Sequence, residues 1–81
     1  MSDKNAKFLR KLSGKEEQRA MAARSKVLAN DLSGLDVKKL SGWDYYYRVR
    51  VGRIRIIFES IDGKNQIIQI TWRDDQTYRD F

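Results

Sequence analysis

The sequence predicts an α+β domain in which an N-terminal helical hairpin packs on one face of a three-stranded antiparallel sheet. Its 81 residues suffice for one core, because a chain of this length buries only roughly 60 to 65 % of its unfolded surface. The hydrophobic period changes from that of a helix to two at Tyr45. Gly52 and Asp62-Gly63 then mark two chain reversals. We therefore expect a single domain over residues 1–81.

The first part of the chain is predicted to form two helices. A side-chain acceptor at Ser2 or Asp3 can cap a first helix that runs to about Leu12. Ser13, with a Glu three residues later, forms a capping box that opens a second helix from about Gly14 to Asn30. The apolar stripe expected to cover the sheet is formed by Ala20, Met21, Ala23, Val27 and Leu28.

The segment 31–44 is predicted to be a connecting loop. It contains Ser-Gly pairs at 33–34 and 41–42, has few apolar residues, and carries the basic pair Lys38-Lys39. The sheet is expected to begin after this loop.

Three strands are predicted from the alternating pattern that follows. The first begins at Tyr45, the second at Ile54, and the third extends from Gln66 to Arg73. In the third strand, Ile68, Ile70 and Trp72 are expected on the face that the helices cover, and Ile67, Gln69 and Thr71 on the other.

The charge balance favours a polyanionic partner. The chain has 17 Lys and Arg against 11 Asp and Glu, which gives a formal charge of +6. It contains neither Cys nor His, so disulfides, thiolate catalysis and the usual general base are excluded. No metal or cofactor is expected. No apolar run approaches the roughly 20 residues of a membrane span, and Met1 to Asn5 leads into no signal-peptide core, so we expect a cytoplasmic protein.

The arginines of the strands are the most informative residues. If the apolar residues of each strand face the helices, the opposite face carries Tyr46 and a row of arginines, namely Arg48, Arg50, Arg53, Arg55 and Arg73. Like charges on neighbouring strands destabilise a sheet unless an anion lies between them. One interpretation is that such a face does no more than keep the sheet soluble. The guanidinium fork, which can bind two phosphate oxygens, favours phosphate recognition instead. Tyr46 and the nearby Trp43 can stack on bases or pack against the sheet.

Two stretches of this sequence resemble a known family. Val37-Lys38-Lys39-Leu40-Ser41-Gly42, followed by Tyr46 to Ile57, closely resembles the central signature of the RelE/ParE toxin superfamily. The helical hairpin before it and the ending from Trp72-Arg73 to Tyr78-Arg79 resemble the same family, so the likeness covers nearly the whole chain.

The resemblance implies a fold, an activity and partners. The activity is that of a type II toxin, a ribosome-dependent endoribonuclease that cleaves messenger RNA without metal and is neutralised by a cognate antitoxin. Arg48 and Arg50 then correspond to the basic pair that binds the message, with Lys38, Lys39, Arg53 and Tyr46 beside them. Arg55 corresponds to the arginine at the scissile phosphate, Arg73 to its partner, and Tyr78 to an aromatic residue that stacks on a base or assists proton transfer.

The chain departs from the family pattern in two places. Met1 to Asn5 cannot form the apolar strand that usually precedes the first helix, so the RelE-like sheet is expected to lack it and to expose an edge. Arg73 and Tyr78 are separated by one residue more than is common in the family. Two alternative functions remain open: a ParE-like inhibitor of DNA gyrase, and a non-catalytic nucleic-acid-binding module.

Overall fold

The computed structural model describes residues 3–72, which form two helices and one antiparallel sheet. The strands are hydrogen-bonded in sequence order, β1-β2-β3-β4, as a meander. The elements are α1 (Asp3–Arg10), α2 (Gly14–Leu28), β1 (Asp36–Lys39), β2 (Tyr46–Val51), β3 (Ile54–Ile61) and β4 (Lys64–Trp72). The predicted α+β class is confirmed, but the sheet has four strands in this part of the chain, where three were expected.

Both helices end earlier than the pattern predicted, α1 at Arg10 and α2 at Leu28. Local hydrogen bonds account for the two ends of α2. The Ser13 hydroxyl accepts a hydrogen bond from the Glu16 backbone N–H at 3.4 Å, which confirms the capping box that opens α2. At the other end, Asn30 has a positive φ of 57° and donates its N–H to the Val27 carbonyl. This left-handed residue is the usual helix terminator, so α2 stops at Leu28.

The additional strand, β1, lies within the segment that was predicted to be a loop. Its four residues pair with β2, and Val37 stands opposite Val49. Val37 is the one apolar residue of β1, and it packs against the core. The pairing partner that makes this segment extended is the outer edge of β2, which the local pattern does not reveal.

Two tight turns set the register of the remaining strands. Gly52 has a φ of +58° at the first position of the β2–β3 turn, as a type II′ turn requires. Asp62 and Gly63 both have positive φ, 53° and 78°, as in a type I′ turn. Both reversals lie where the sequence predicted them.

β4 corresponds to the third predicted strand, and a β-bulge changes which of its residues face the core. Ile57 pairs with Gln69 but Phe58 pairs with Ile67, so Ile68 is the extra residue. Ile67 therefore packs against the core, and the expectation that it would lie on the far face is wrong.

The core lies between the two helices and one face of the sheet. Ala20, Ala23 and Val27 of α2 are buried against strand residues, and the fully buried large side chains on the sheet include Val49, Ile54, Ile56 and Phe58. Met21 and Leu28, which were predicted in the same stripe, are 40 % and 44 % exposed. We call the opposite face of the sheet, which carries Tyr46, Arg48, Arg50, Arg55 and Ile57, the open face.

One edge of the sheet meets α1. The Asn5 side chain accepts a hydrogen bond from the Ile70 N–H at 2.9 Å and donates one to the Ile68 carbonyl at 3.4 Å. Its amide thus bonds to β4 as a peptide group of a neighbouring strand would. Part of the edge that was expected to be exposed is therefore occupied. Neither helix of the described residues is long and apolar enough to cross a membrane.

Candidate nucleic-acid interface

The open face brings arginines of two strands side by side. Arg50 of β2 pairs directly with Arg55 of β3, and Arg55 pairs in turn with Thr71 of β4. Arg50 is exposed and Arg55 is half-buried. Two like charges at directly opposed positions destabilise a sheet, and an anion between them relieves this repulsion.

These arginines line a cavity of about 320 Å³ on the open face. Five of the eight lining residues are cationic and none is acidic; the eight are Lys38, Lys39, Leu40, Ser41, Trp43, Arg48, Arg50 and Arg55. The walls come from β1 and the following loop on one side and from β2 and β3 on the other. The cavity can therefore accept a polyanionic chain and offers it multidentate guanidinium donors.

Arg48 is buried, unlike the exposed Arg50 of the same strand. It is only 9 % exposed, and its Nη1 donates to the Asp36 backbone carbonyl at 3.1 Å and lies 3.3 Å from the Asp36 carboxylate. Arg48 lies on the predicted face of the sheet, where it lines the cavity, and β1 supplies it with a neighbour that offers two acceptors. Arg48 joins β1 to β2 at the base of the cavity.

Lys38 and Lys39 were placed in a loop by the sequence, and the structure places them in β1. Both are exposed and both line the cavity. Lys38 pairs with Arg48 and Lys39 with Tyr47. The strand therefore fixes the spacing between this basic pair and the arginines of β2.

Arg53 is not part of the cavity, which corrects its predicted place in the arginine row. It lies in the β2–β3 turn, and its Nη2 is 2.8 Å from the Glu16 carboxylate of α2. Its guanidinium also lies over the Trp72 ring, 5.1 Å from the centroid. The hydrogen bond from Arg53 and its positive charge hold the pKa of Glu16 below the ordinary 4.5. Arg53 thus connects the hairpin turn to α2.

Tyr46 lies on the open face, where it pairs with Glu59 of β3. Its ring stacks on that of Trp43, with centroids 5.5 Å apart and planes inclined by 9°. Trp43 in turn lines the cavity. The aromatic pair and the cationic cavity therefore adjoin.

The remaining two predicted catalytic residues, Arg73 and Tyr78, lie outside the described residues. Within residues 3–72, no three Asp or Glu side chains cluster as the ligands of a metal ion would. Five of the predicted site residues therefore lie together in the cavity lining: Arg55, Arg50, Arg48, Lys38 and Lys39.

Asp36 and the cavity residues Leu40 and Ser41 were not predicted from the sequence as site residues. Asp36 was hidden because its role depends on β1, which was predicted to be a loop. The available signal was the alternation of Val37 between Asp36 and Lys38, but one apolar residue is too short a pattern to predict a strand.

Comparison with known proteins relates this arrangement to one described system. No family model and no curated protein matches the sequence. The structure is similar to a chain in the crystal structure of the RelB-RelE antitoxin-toxin complex from Methanococcus jannaschii, with a TM-score of 0.73 and 26 % sequence identity. The similarity covers 94 % of this chain and 91 % of that chain. It supports a protein of a toxin–antitoxin system, and it does not distinguish toxin from antitoxin.

Proposed function

We propose that the chain is the toxin of a type II toxin–antitoxin pair and acts as a ribosome-dependent endoribonuclease on messenger RNA. The observation that carries this proposal is the cavity with five cationic side chains and no acidic one on the open face, as the described residues form it. The fold similarity to a RelB-RelE complex supports it independently. A cavity of this charge fits a polyanion such as a phosphodiester backbone better than a neutral or cationic partner.

The chemistry that the cavity can support is attack by a ribose 2′-oxygen on the adjacent phosphorus, with departure of the 5′-oxygen. The pentacoordinate intermediate gains negative charge, which Arg55, a residue of the cavity lining, would neutralise. Arg50, Lys38 and Lys39 would hold the flanking phosphates. Neutralising charge at phosphorus accelerates the reaction only if the donors are already in place.

The proton transfers need a different group. An arginine stays protonated and exchanges protons reluctantly, so Arg55 does not serve as a base. The resemblance assigns this role, or base stacking, to Tyr78, and the partner of Arg55 to Arg73. Since His and Cys do not occur in the sequence, the activity should persist in a chelator under conditions that keep the ribosomes intact.

The proposed partner is an antitoxin with an acidic segment. Arg48 is paired with Asp36, but Arg50 and Arg55 face each other across β2 and β3, and acidic side chains placed between them would remove both the repulsion and the access of RNA. Neutralisation by masking predicts that Arg50 and Arg55 become protected when the antitoxin binds. If both arginines stayed accessible to chemical modification in a neutralised complex, masking of the cavity would be wrong.

The decisive experiment is single-turnover cleavage on ribosomes programmed with a short message. Arg55→Ala should lower the rate about a hundred- to thousandfold, as expected for loss of one donor to a developing anion. Arg53→Ala is the matched control, since it removes the same charge two residues away but outside the cavity. Equal rates for wild type and Arg55→Ala would contradict the nuclease assignment. Inhibition of supercoiling by gyrase with no cleavage would support the ParE-like alternative.

A further inference from the structure

Trp43 and Tyr46 form a stacked aromatic pair beside the cationic cavity. The two rings are nearly parallel, and Trp43 shares the cavity lining with Arg50 and Arg55. Both aromatic residues are half-buried, so each keeps part of its surface in solvent. A planar apolar surface next to guanidinium groups is the combination that binds nucleotides, because the base and its phosphate need different partners.

The position of Trp43 is fixed by the backbone of its loop. Gly42 has a φ of +83°, a conformation that side chains rarely allow. The Trp43 N–H donates to the Leu40 carbonyl at 3.3 Å, and the Leu40 N–H donates to the Tyr46 carbonyl at 2.9 Å. The loop is thereby closed onto the start of β2. A ring that is already held in place loses little conformational freedom when a ligand stacks on it.

A second stacked pair, Tyr47 and Phe58, belongs to the core and differs in this from Trp43 and Tyr46. Tyr47 and Phe58 stack at 5.4 Å on the covered face, where Phe58 is 1 % exposed and Tyr47 packs against the core. Trp43 and Tyr46 are not among the residues that pack against this core. The Trp43–Tyr46 pair therefore lies outside this core cluster, beside the cavity.

We propose that the Trp43–Tyr46 pair is a base-stacking subsite for single-stranded RNA and favours a purine. The nucleotide that stacks there would place its phosphate toward Arg50 and Arg55, and the larger ring system of a purine would cover more of the indole than a pyrimidine does. This inference rests on the proposed function, since it specifies the RNA that the cavity holds. It assigns to Trp43 a specificity role at the cavity.

The test uses the fluorescence of Trp43 in the Trp72→Phe protein, which leaves Trp43 as the only tryptophan of the sequence. The probes are short 2′-O-methyl oligoadenylate and oligouridylate, which cannot be cleaved by their own 2′-oxygen, at low salt. We expect saturable quenching by both and tighter binding of oligoadenylate by several-fold. Variants of Trp43 lack this signal, so their binding is followed by the fluorescence anisotropy of end-labelled probes. Trp43→Ala should weaken oligoadenylate binding about tenfold or more and remove the preference, while Trp43→Phe should keep part of both. Arg50→Ala should weaken both probes equally.

The outcomes separate this subsite from the nuclease proposal. Quenching and purine preference without any cleavage on ribosomes would retain the subsite and reject the nuclease. Cleavage that depends on Arg55, together with unquenched Trp43 at saturating oligonucleotide or an unchanged preference in Trp43→Ala, would overturn the subsite and retain the nuclease. Absence of oligonucleotide binding at low salt would overturn the subsite as well.

Discussion

The covered face of the sheet is built from Val49, Ile56 and Ile70, whereas the open face carries Arg50, Arg55 and Thr71 at neighbouring positions. On the covered face, these three side chains are buried as alternation predicts, because the helices exclude water from them. On the open face burial does not follow alternation: Ile57 is 0 % and Arg48 9 % exposed, although Arg50 beside them is exposed. Within residues 3–72, alternation alone therefore does not decide which side chains of this face are buried.

The largest expected effect tests whether the two faces contribute equally to stability. Phe58→Ala on the covered face should lower the free energy of unfolding by about 3 to 5 kcal/mol. Ile57→Ala on the open face should cost about 2 to 5 kcal/mol, because Ile57 is as fully buried as Phe58. Urea denaturation measures both, with Ile61→Ala, which is 40 % exposed, as the control. A cost for Ile57→Ala no greater than that of Ile61→Ala would mean that the open face has no packed layer.

Features that depend on neighbouring residues of the chain were predicted well, and features that depend on pairing across the sheet were not. The capping box at Ser13 and the turn at Asp62-Gly63 are local, and local chemistry determined them. The burial of Arg48 and the strand β1 were missed together, because each depends on Asp36 pairing across the sheet. The extra residue of the bulge was also missed: Ile67 and Ile68 are identical residues, so the pattern cannot show which one faces the core.

The second prediction separates two arginines that the sequence treated alike. Arg48→Ala should cost about 1.5 to 3 kcal/mol of stability, because it removes a charged hydrogen bond to β1 from a buried position. Arg50→Ala should change stability by no more than about 0.5 kcal/mol, since Arg50 is exposed and faces the like charge of Arg55. Parallel urea melts and RNA-binding titrations measure both. Equal loss of stability in the two variants would show that Arg48 is not a structural residue.

The third prediction concerns the edge of β4. Asn5→Ala should destabilise the domain by about 1 to 3 kcal/mol, because the buried N–H of Ile70 loses its acceptor. It should also leave an edge that can pair with a second copy. Lys4→Ala, at an exposed neighbouring position of α1, is the control. Denaturation measures the stability and sedimentation velocity measures the association. An unchanged melt for Asn5→Ala would mean that the Asn5 amide does not stabilise the edge of β4.

The smallest expected effect is the pH dependence of the contact between Arg53 and Glu16, which lies on the helix side and away from the cavity. The hydrogen bond from Arg53 lowers the pKa of Glu16 below its ordinary 4.5 in the folded protein. A carboxyl group whose pKa is lowered by folding stabilises the folded state above its unfolded pKa, and this contribution is lost as pH falls through the folded pKa. The stability difference between wild type and Glu16→Gln should therefore be constant above pH 4.5 and shrink below it. Thermal melts across this range measure the difference, with Glu17→Gln in the same helical turn as control. A difference that grew on acidification would have the wrong sign for an ion pair, and it would return Arg53 to the set of arginines that are free to bind RNA.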